Sequence, residues 1–505
     1  MATESIVKLL AALERNFGID YSTTTNVQDF YKYLLQASDS NGLIQDFGDS
    51  GGSTGGVIQF GSQIHSQWFV YRTGNPFLYK YIKPYWEAGN GGYLGYLWFR
   101  DDINPVSRET LPVSKILSSQ GMVMRSGWDN KSSIITIRVG PNSNHFHYDQ
   151  GSFQIITNGD VLLTDPGHGG SYYANLDFLI YNIQAIAHNV MLVDHDPESQ
   201  TPADYDNGIA ALRDWPKMVH SFAGKIADVA EEDLATVYKN KLGVYTRILL
   251  FTKSGPIFLF DHVKSKSPDG HVYDWLFHTL RNNGQRSISY SDQRVIIDRP
   301  AARLTLDVVE PEIASAVIRD RNDESYISLS SKPNLTEADF FAVILPEAKP
   351  AAGDFNSRPK TTRLEEEGWI GARVENQGNV YFGFFRTGST TSGSVEGFTT
   401  DARNFTVSVD NNKRIQTIYF EGTSFAGKEL TINSTTSITC ALAFHKTSTD
   451  IEIQTDKATE LSFSLENIPK NVLLDSTLLR NWHYDPKSKL VSLKLPEGRH
   501  DISIN

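Results

Sequence analysis

One short segment of the chain carries two histidines that could act on the same ligand. Residues 144–153 read NHFHYDQGSF, with His145 and His147 separated by a single phenylalanine. Alternate side chains of a β-strand point to the same face, so both imidazoles would project together if this segment is extended. Imidazole serves as a metal ligand and as an acid or base near neutral pH. The segment is therefore a candidate for metal binding or for proton transfer.

Two residues further along the chain could join this pair. Asp165, in TDPGHGG, ends the run FQIITNGDVLLTD, whose Asn-Gly dipeptide predicts a hairpin. His188, in AIAHNVMLVDH, precedes another apolar run. Imidazoles and a carboxylate together suit Zn²⁺. The alternative is that these are separate polar residues around a sheet, which would give the same sequence pattern. The single cysteine, Cys440, lies in the apolar stretch ITCALAF and is predicted to be buried, so a metal would depend on His, Asp and Glu.

The elements that must position these residues fall into three predicted regions. Residues 1–105 show helical periodicity over 3–17, 26–39, 62–74 and 75–89. Residues 106–424 alternate as strands, and residues 425–505 carry shorter, more polar strands that predict a small β-domain. Helices followed by runs of strands indicate a multidomain α+β protein with segregated layers.

Composition limits the classes of partner. Hydrophobic residues make up 40% of the 505 residues and charged residues 21%, as in ordinary globular proteins. The formal net charge of −12 disfavours nucleic acid, but a local cationic cluster could still attract an acidic polysaccharide. No apolar run approaches the roughly 20 residues that cross a bilayer, and the first residues do not read as a secretory leader. We therefore expect neither a nucleic-acid nor a membrane partner.

Three stretches together resemble the heparinase II/III-like polysaccharide lyases, a family related to the alginate and oligoalginate lyases. They are GPNSNHFHYDQGSFQI (140–155), NGDVLLTDPGHGG (158–170) and AHNVMLVD (187–194). FGDS (47–50) and GMVMRSGWD (121–129) resemble that family's junction between helices and strands, and the resemblance covers roughly residues 1–290. It implies the end of an N-terminal (α/α) toroid, a large antiparallel β-supersandwich and a small C-terminal β-domain. Because the family's toroid is longer, we expect an upstream chain or a homo-oligomer to cover the helices.

The resemblance also implies roles for individual residues. His147, Asp165 and His188 would bind zinc, and His145 would face the substrate as the catalytic base or its helper. Tyr172 or Tyr173 would border the cleft. The implied substrate is an acidic, uronic-acid-containing polysaccharide or oligosaccharide, alginate-like or glycosaminoglycan-like. It would be cleaved by β-elimination, in which the C5 proton is removed and the O4 substituent leaves.

Three other residues could contact such a substrate. Arg125 could form two parallel hydrogen bonds with a uronate carboxylate. Asn144 and Gln150 flank the histidine pair and could bind sugar hydroxyls. A structural pairing is the alternative for Arg125, and turn or strand-edge roles are the alternatives for the two amides.

Two other functions stay open at this point. The first is a catalytically incomplete glycan-binding relative, because the toroid's catalytic motifs would fall before Met1. The second is a cupin-like metalloenzyme, because the metal-binding motif of cupins also begins with HxH on a strand. In this sequence, however, Asp149 and Gln150 occupy the positions where that motif would have a glutamate. The family resemblance implies a periplasmic or secreted protein.

Overall fold

The chain begins with a small helical region. The computed structural model describes residues 2–39, 42–44, 47–48, 56–57, 63–117, 121–141, 147–167, 178–200, 215–238, 240–253, 255–350, 355, 358–366, 368–388, 392–427, 430–465 and 468–505. The helices are α1 (Ala2–Phe17), α2 (Thr25–Ala37), α3 (Ile64–Thr73), α4 (Pro76–Glu87) and α5 (Gly92–Trp98). The short strands β1 (Leu43–Ile44) and β2 (Gly56–Val57) pair between α2 and α3. The four predicted helices are thus confirmed, and α5 was not predicted.

The helices pack on one face of the five-stranded sheet that lies within residues 115–163, which we call the first sheet. Their core contains Trp68 and Trp86, together with Val123 and Ile134 from strands. Several apolar side chains of α1 and α5 remain exposed: Ile6, Leu9, Phe17, Tyr93, Tyr96 and Leu97. None of the helices among the described residues has the length and apolar character needed to cross a membrane.

Seventeen strands of the described chain follow up to residue 348 and form three antiparallel sheets. They are β3 (Lys115–Leu117), β4 (Gly121–Arg125), β5 (Ser133–Arg138), β6 (Phe153–Thr157), β7 (Asp160–Leu163), β8 (Met191–Val193), β9 (Lys217–Ala223), β10 (Asp228–Asp233), β11 (Leu242–Phe251), β12 (Ile257–Ser265), β13 (Tyr273–Leu280), β14 (Ile288–Ser291), β15 (Arg294–Asp298), β16 (Ala302–Glu310), β17 (Ser315–Arg321), β18 (Glu324–Ser330) and β19 (Glu337–Ala348). The sheet orders are β3-β4-β5-β6-β7, β17-β18-β13-β8 and β14-β15-β16-β19-β12-β11-β10-β9.

The eight-stranded sheet is the middle layer of the stack. One of its faces shares a hydrophobic core with the five- and four-stranded sheets. Leu249 of β11 belongs to this core. Its other face, including Ile248 and Leu250, packs against the C-terminal sheet. Neighbouring side chains of one strand thus enter two different cores, as the two-residue period of a strand requires. This arrangement confirms the predicted antiparallel β-supersandwich.

The remaining strands of the described residues form one fifteen-stranded sheet. They are β20 (Lys360–Glu366), β21 (Trp369–Asn376), β22 (Asn379–Arg386), β23 (Gly393–Val395), β24 (Phe398–Thr400), β25 (Asn404–Val409), β26 (Ile415–Ala426), β27 (Thr431–Phe444), β28 (Thr449–Thr455), β29 (Thr459–Ser464), β30 (Val472–Leu474), β31 (Thr477–Leu478), β32 (Trp482–Asp485), β33 (Leu490–Leu495) and β34 (Gly498–Ile504). The boundary predicted at 424/425 lies inside β26, and hydrogen bonding continues across it from β20 to β34. Cys440 is buried in the core of this sheet, as predicted.

Candidate metal centre

Two imidazoles and one carboxylate meet in the interior of the first β-region. One potential ligand atom from each of His147, Asp165 and His188 lies within 4.8 Å of the others, and all three residues are buried. The rings of His147 and His188 have their centroids 5.3 Å apart. The structure therefore brings together the three residues that the family resemblance assigned to zinc.

Asp165 is positioned by the hairpin that its sequence predicted. Asn158 and Gly159 have φ angles of 51° and 76° and connect β6 to β7, and Thr157 pairs with Asp160. Positive φ at both positions gives the turn geometry that matches the twist of paired strands. Asp165 lies two residues after the end of β7, so its carboxylate lies beside the neighbouring turns.

His188 is held by Asp165 and by the residue that follows it. Nδ1 of His188 lies 2.7 Å from Oδ2 of Asp165, whereas Nε2 is buried without a hydrogen-bond partner among the described residues. Burial lowers the pKa of His188, but the carboxylates of Asp165 and Asp149 outweigh it, and the pKa lies above the ordinary value. A carboxylate on one ring nitrogen fixes the ring and leaves the other nitrogen for a ligand.

Asn189 links three chain segments around the cluster. Its Nδ2 donates to the carbonyl oxygens of Phe153 and Thr164 at 2.8 and 2.9 Å, and its Oδ1 accepts from the backbone N–H of His278 at 2.7 Å. The motif AHN thus supplies one candidate ligand and the amide that anchors it. No role was predicted for Asn189 from the sequence, although it lies inside the motif AHN.

His147 lies at the start of a tight turn that leads into β6. Gly151, with φ +80°, is required here because a Cβ at this position would lie 2.4 Å from Cδ1 of Leu234. Gly151 N–H donates to the carbonyl of Arg138 at 2.7 Å, and Ser152 N–H donates to the carbonyl of Asp149 at 2.9 Å. Gly151 and these two hydrogen bonds define the backbone conformation of the turn and so position His147 relative to the sheet.

A charged network lies beneath these turns. Glu232, Arg247 and Asp261 are register partners on β10, β11 and β12, so their side chains share one face of the sheet. Arg247 donates to both Asp261 oxygens at 2.8 and 2.7 Å. Its Nη1 donates to the carbonyls of Gly151 at 2.6 Å and Asn189 at 3.0 Å. One guanidinium therefore connects the turn after His147 with the residue after His188.

Glu232 is the member of this network that lacks hydrogen-bond partners among the described residues. It is 0% exposed, and neither carboxyl oxygen has a hydrogen-bond partner within the described part of the chain. Burial raises its pKa to about 8, although Arg247 opposes the shift. At neutral pH the folded protein therefore favours the protonated, neutral form of this carboxyl.

Replacing Glu232 with glutamine should make stability less dependent on pH. A folded-state pKa near 8 means that, from about pH 5 to 8, the folded chain binds more protons than the unfolded chain. The wild type should then lose free energy of unfolding as pH rises, by up to about 1.4 kcal/mol per pH unit. Urea unfolding of Glu232→Gln across this range should show its advantage over the wild type growing with pH. The exposed Glu312→Gln variant is the control, and parallel curves for Glu232→Gln and wild type would contradict the expectation.

Two residues predicted to contact substrate, Arg125 and Gln150, form hydrogen bonds within the protein. The Arg125 guanidinium donates to the carbonyls of Gln36 and Ser38 and stacks over Trp128 at 4.1 Å. Burial and the neighbouring Arg108 lower its pKa to about 9. The Gln150 side chain bonds both the N–H and the carbonyl of Gly140, at 3.0 and 2.9 Å. Arg125 thus ties the helical region to the first sheet, and Gln150 braces the turn beside the cluster.

The other predicted site residues lie outside the described part of the chain. These are His145, Asn144, Tyr172 and Tyr173, so their assignments stay predictions. Asp149, in the same motif, is buried with its Oδ1 3.7 Å from Nε of Arg138. Burial raises its pKa, while Arg138 and His188 oppose the shift. His278, beside the cluster, is fully buried, and burial lowers its pKa to about 3.

The fold consists of helices packed on an antiparallel supersandwich, with a buried His-Asp-His cluster in its interior. Residues 122–347 match the family model described as "Heparinase II/III-like, C-terminal". This part of the chain is similar to the heparinase II/III-like C-terminal domain, as the three sequence motifs predicted. The match disfavours the cupin-like alternative. No curated protein matches the sequence.

The chain shares its fold with solved structures of heparan sulfate and chondroitin lyases. The heparan sulfate lyase HepC from Pedobacter heparinus aligns with a TM-score of 0.55 at 14% identity, over 74% of this chain and 56% of HepC. A heparinase III structure aligns with a TM-score of 0.56 at 14% identity, over 76% and 59%. The Streptomyces coelicolor A3 chondroitin AC lyase in complex with chondroitin sulphate aligns with a TM-score of 0.52 at 10% identity, over 100% and 68%. These likenesses establish the fold, and the chain spans little more than half the length of the heparinases.

Proposed function

We propose that this protein acts on an acidic, uronate-containing glycan of the glycosaminoglycan type, as a lyase that works by β-elimination. The observation that carries the proposal is the buried His147, Asp165 and His188 cluster within a region similar to the heparinase II/III-like C-terminal domain. The shared fold with heparan sulfate and chondroitin lyases supports the substrate class.

The cluster suits a zinc ion. Its donors are two imidazoles and a carboxylate, the ligand types that Zn²⁺ takes in proteins, and Nε2 of His188 is a buried nitrogen with no partner among the described residues. His147, Asp165 and His188 would hold the ion. A bound ion would supply fixed positive charge that links the three turns and stabilises the segment carrying His145.

The proposed reaction assigns the remaining steps to side chains. A base, for which His145 is the candidate, takes the proton from C5 of the uronate. The electron pair forms the C4–C5 double bond as the C4–O4 bond breaks, and an acid returns a proton to the departing oxygen. Tyr172 or Tyr173 is the candidate for this acid, because tyrosine can donate a proton.

Product formation tests the proposal. The full chain, supplied with Zn²⁺, would be incubated separately with heparan sulfate, chondroitin sulfate and alginate. We expect unsaturated uronate products, seen by ultraviolet absorbance and mass spectrometry, from at least one of them. His145→Ala should lose at least about 100-fold in rate while keeping its metal, since general base catalysis typically contributes 10²–10⁴-fold.

The control for this assay is His195→Ala, which removes a largely exposed imidazole that contacts Asp274. Folded, metal-loaded protein that yields no unsaturated product from any of these glycans would refute the lyase proposal. Oligosaccharide binding without turnover would instead support the glycan-binding alternative.

A further inference from the structure

A groove far along the sequence from the metal cluster has an unusual charge. Two cavities of about 630 and 360 Å³ share Arg358 in their linings. The larger volume falls within the range of about 300–1,000 Å³ for ligand sites. Together the linings contain four carboxylates and six cationic side chains: Arg294, Arg358, Lys360, Arg363, Arg373 and Lys413. The groove is thus net positive on a chain whose formal charge is −12.

Strand register places part of this lining on one face. Arg373 is the register partner of Phe382, and Glu375 pairs with both Lys360 and Val380. Register partners and residues two apart share a face of a sheet. The half-buried aromatic ring of Phe382 on β22 therefore lies beside cations on β20 and β21, a combination of apolar and charged surface suited to a sugar ring with an acidic substituent.

Most of the groove's carboxylates already have partners. Arg294 and Thr361 bond Asp307, and Arg373 pairs with Glu375. Asp410 accepts from the backbone N–H groups of Asn412 and Arg414. These pairings leave the charge of the remaining cations available to a ligand.

Arg358 and Lys413 are the cations of the groove that other side chains leave free. Both are exposed, and neither forms an ion pair or a side-chain hydrogen bond with any residue that the structure describes. The residue that follows Arg358 is held by one hydrogen bond, because the carbonyl of Pro359 accepts from Arg294 at 2.9 Å. A guanidinium on an anchored segment is well placed for two-point recognition of a carboxylate or sulfate.

We propose that this groove is a second binding site, for an acidic oligosaccharide. The choice of glycan as the ligand rests on the proposed function, whereas the groove itself rests on its own residues. It would hold part of a long chain while another part is acted on at the metal cluster, which would raise the effective concentration of substrate. The strongly acidic remainder of the protein disfavours nucleic acid or an anionic membrane, whose larger contact area would meet repulsion.

Binding of a size-defined heparan sulfate hexasaccharide to the full chain, measured by calorimetry, tests this proposal. Arg358→Ala combined with Lys413→Ala should weaken binding by about tenfold or more, because two unpaired cations are removed. The effect should shrink as salt is raised, since these side chains are exposed. The matched control is Arg480→Ala combined with Lys487→Ala, which removes the same two charges from exposed positions outside the groove. All variants would be compared by circular dichroism and thermal unfolding.

Selective weakening by the groove pair supports the second site even when no cleavage is detected, so the two proposals can fail separately. Three results would overturn it: no binding by the wild type, unchanged affinity in the groove pair, or equal weakening by the control pair. Equal competition by a single-stranded oligonucleotide or by phosphatidylserine vesicles would overturn the assignment to a glycan.

Discussion

Replacing His188 with alanine is expected to remove the bound metal and lower the stability of the folded chain. Wild-type protein prepared with zinc should carry about one equivalent, and His188→Ala close to none, because Nε2 of His188 is a buried nitrogen without a partner among the described residues. An ion present at about 100 times its Kd stabilises the folded state by about 2.7 kcal/mol. Elemental analysis would measure the metal, and urea unfolding would measure the stability.

A chelator provides the matched comparison. Chelation should destabilise the wild type by the same amount that zinc stabilises it, and should change His188→Ala little, since the two perturbations remove one interaction. The competing interpretation is a buried ion pair between His188 and Asp165, whose atoms lie 2.7 Å apart. In that case His188→Ala would lose stability, but the stability of the wild type would respond to neither zinc nor chelator, and the metal assignment would fail.

The cluster could be predicted because its members lie in motifs that resemble a known family, and because each of them ends or begins a local pattern. Asp165 closes a hairpin that its Asn-Gly turn indicates, and His147 and His188 lie beside Gly151 and Asn189 in short motifs. Hairpin neighbours stay neighbours in the fold, so sequence spacing carries over into distance.

The charged network under the cluster was not predictable in this way. Arg247 lies within the apolar run VYTRILLF, where alternation predicts only which side it faces. Its contacts with the carbonyls of Gly151 and Asn189 join two layers of the sandwich. How one sheet is placed over another depends on the packing of both cores, which no single strand encodes.

Helix α5 was not predicted, and the predicted C-terminal boundary falls inside a strand, for related reasons. The glycines of GGYLGYLW disfavour a helix, but a Cβ at Gly95 would lie 3.2 Å from Trp86 and Gln67, so close packing favours glycine there. The shorter, more polar strands after 425 suggested a separate domain. Their backbone groups nevertheless continue a single ladder, as in the pairing of Phe420 with Cys440.

Breaking the Arg247–Asp261 pair is expected to have the second large effect. The two side chains are 1% and 0% exposed, and Asp261 keeps only the Trp275 and Tyr245 side-chain donors of the described residues when the guanidinium is removed. Arg247→Met should therefore cost about 3–5 kcal/mol in free energy of unfolding, because it leaves a buried carboxylate poorly compensated. Urea unfolding would measure this loss.

A double variant separates stability from site assembly. Arg247→Leu combined with Asp261→Leu removes both charges, and such replacements of buried pairs are often neutral, so much of the stability should return. The carbonyls of Gly151 and Asn189 would still lack their shared donor. Zinc affinity should therefore fall about 10–100-fold, as when an outer hydrogen bond of a metal site is lost.

The control for this double variant is Arg294→Leu combined with Asp307→Leu, which removes a largely buried pair on β15 and β16. Because that pair has no contact with the turns of the cluster among the described residues, the control should keep wild-type zinc affinity. Zinc affinity that recovers together with stability in the Arg247 and Asp261 double variant would show that Arg247 supports the fold alone. Weak zinc binding in a stable protein would instead identify Arg247 as the positioning residue of the metal centre.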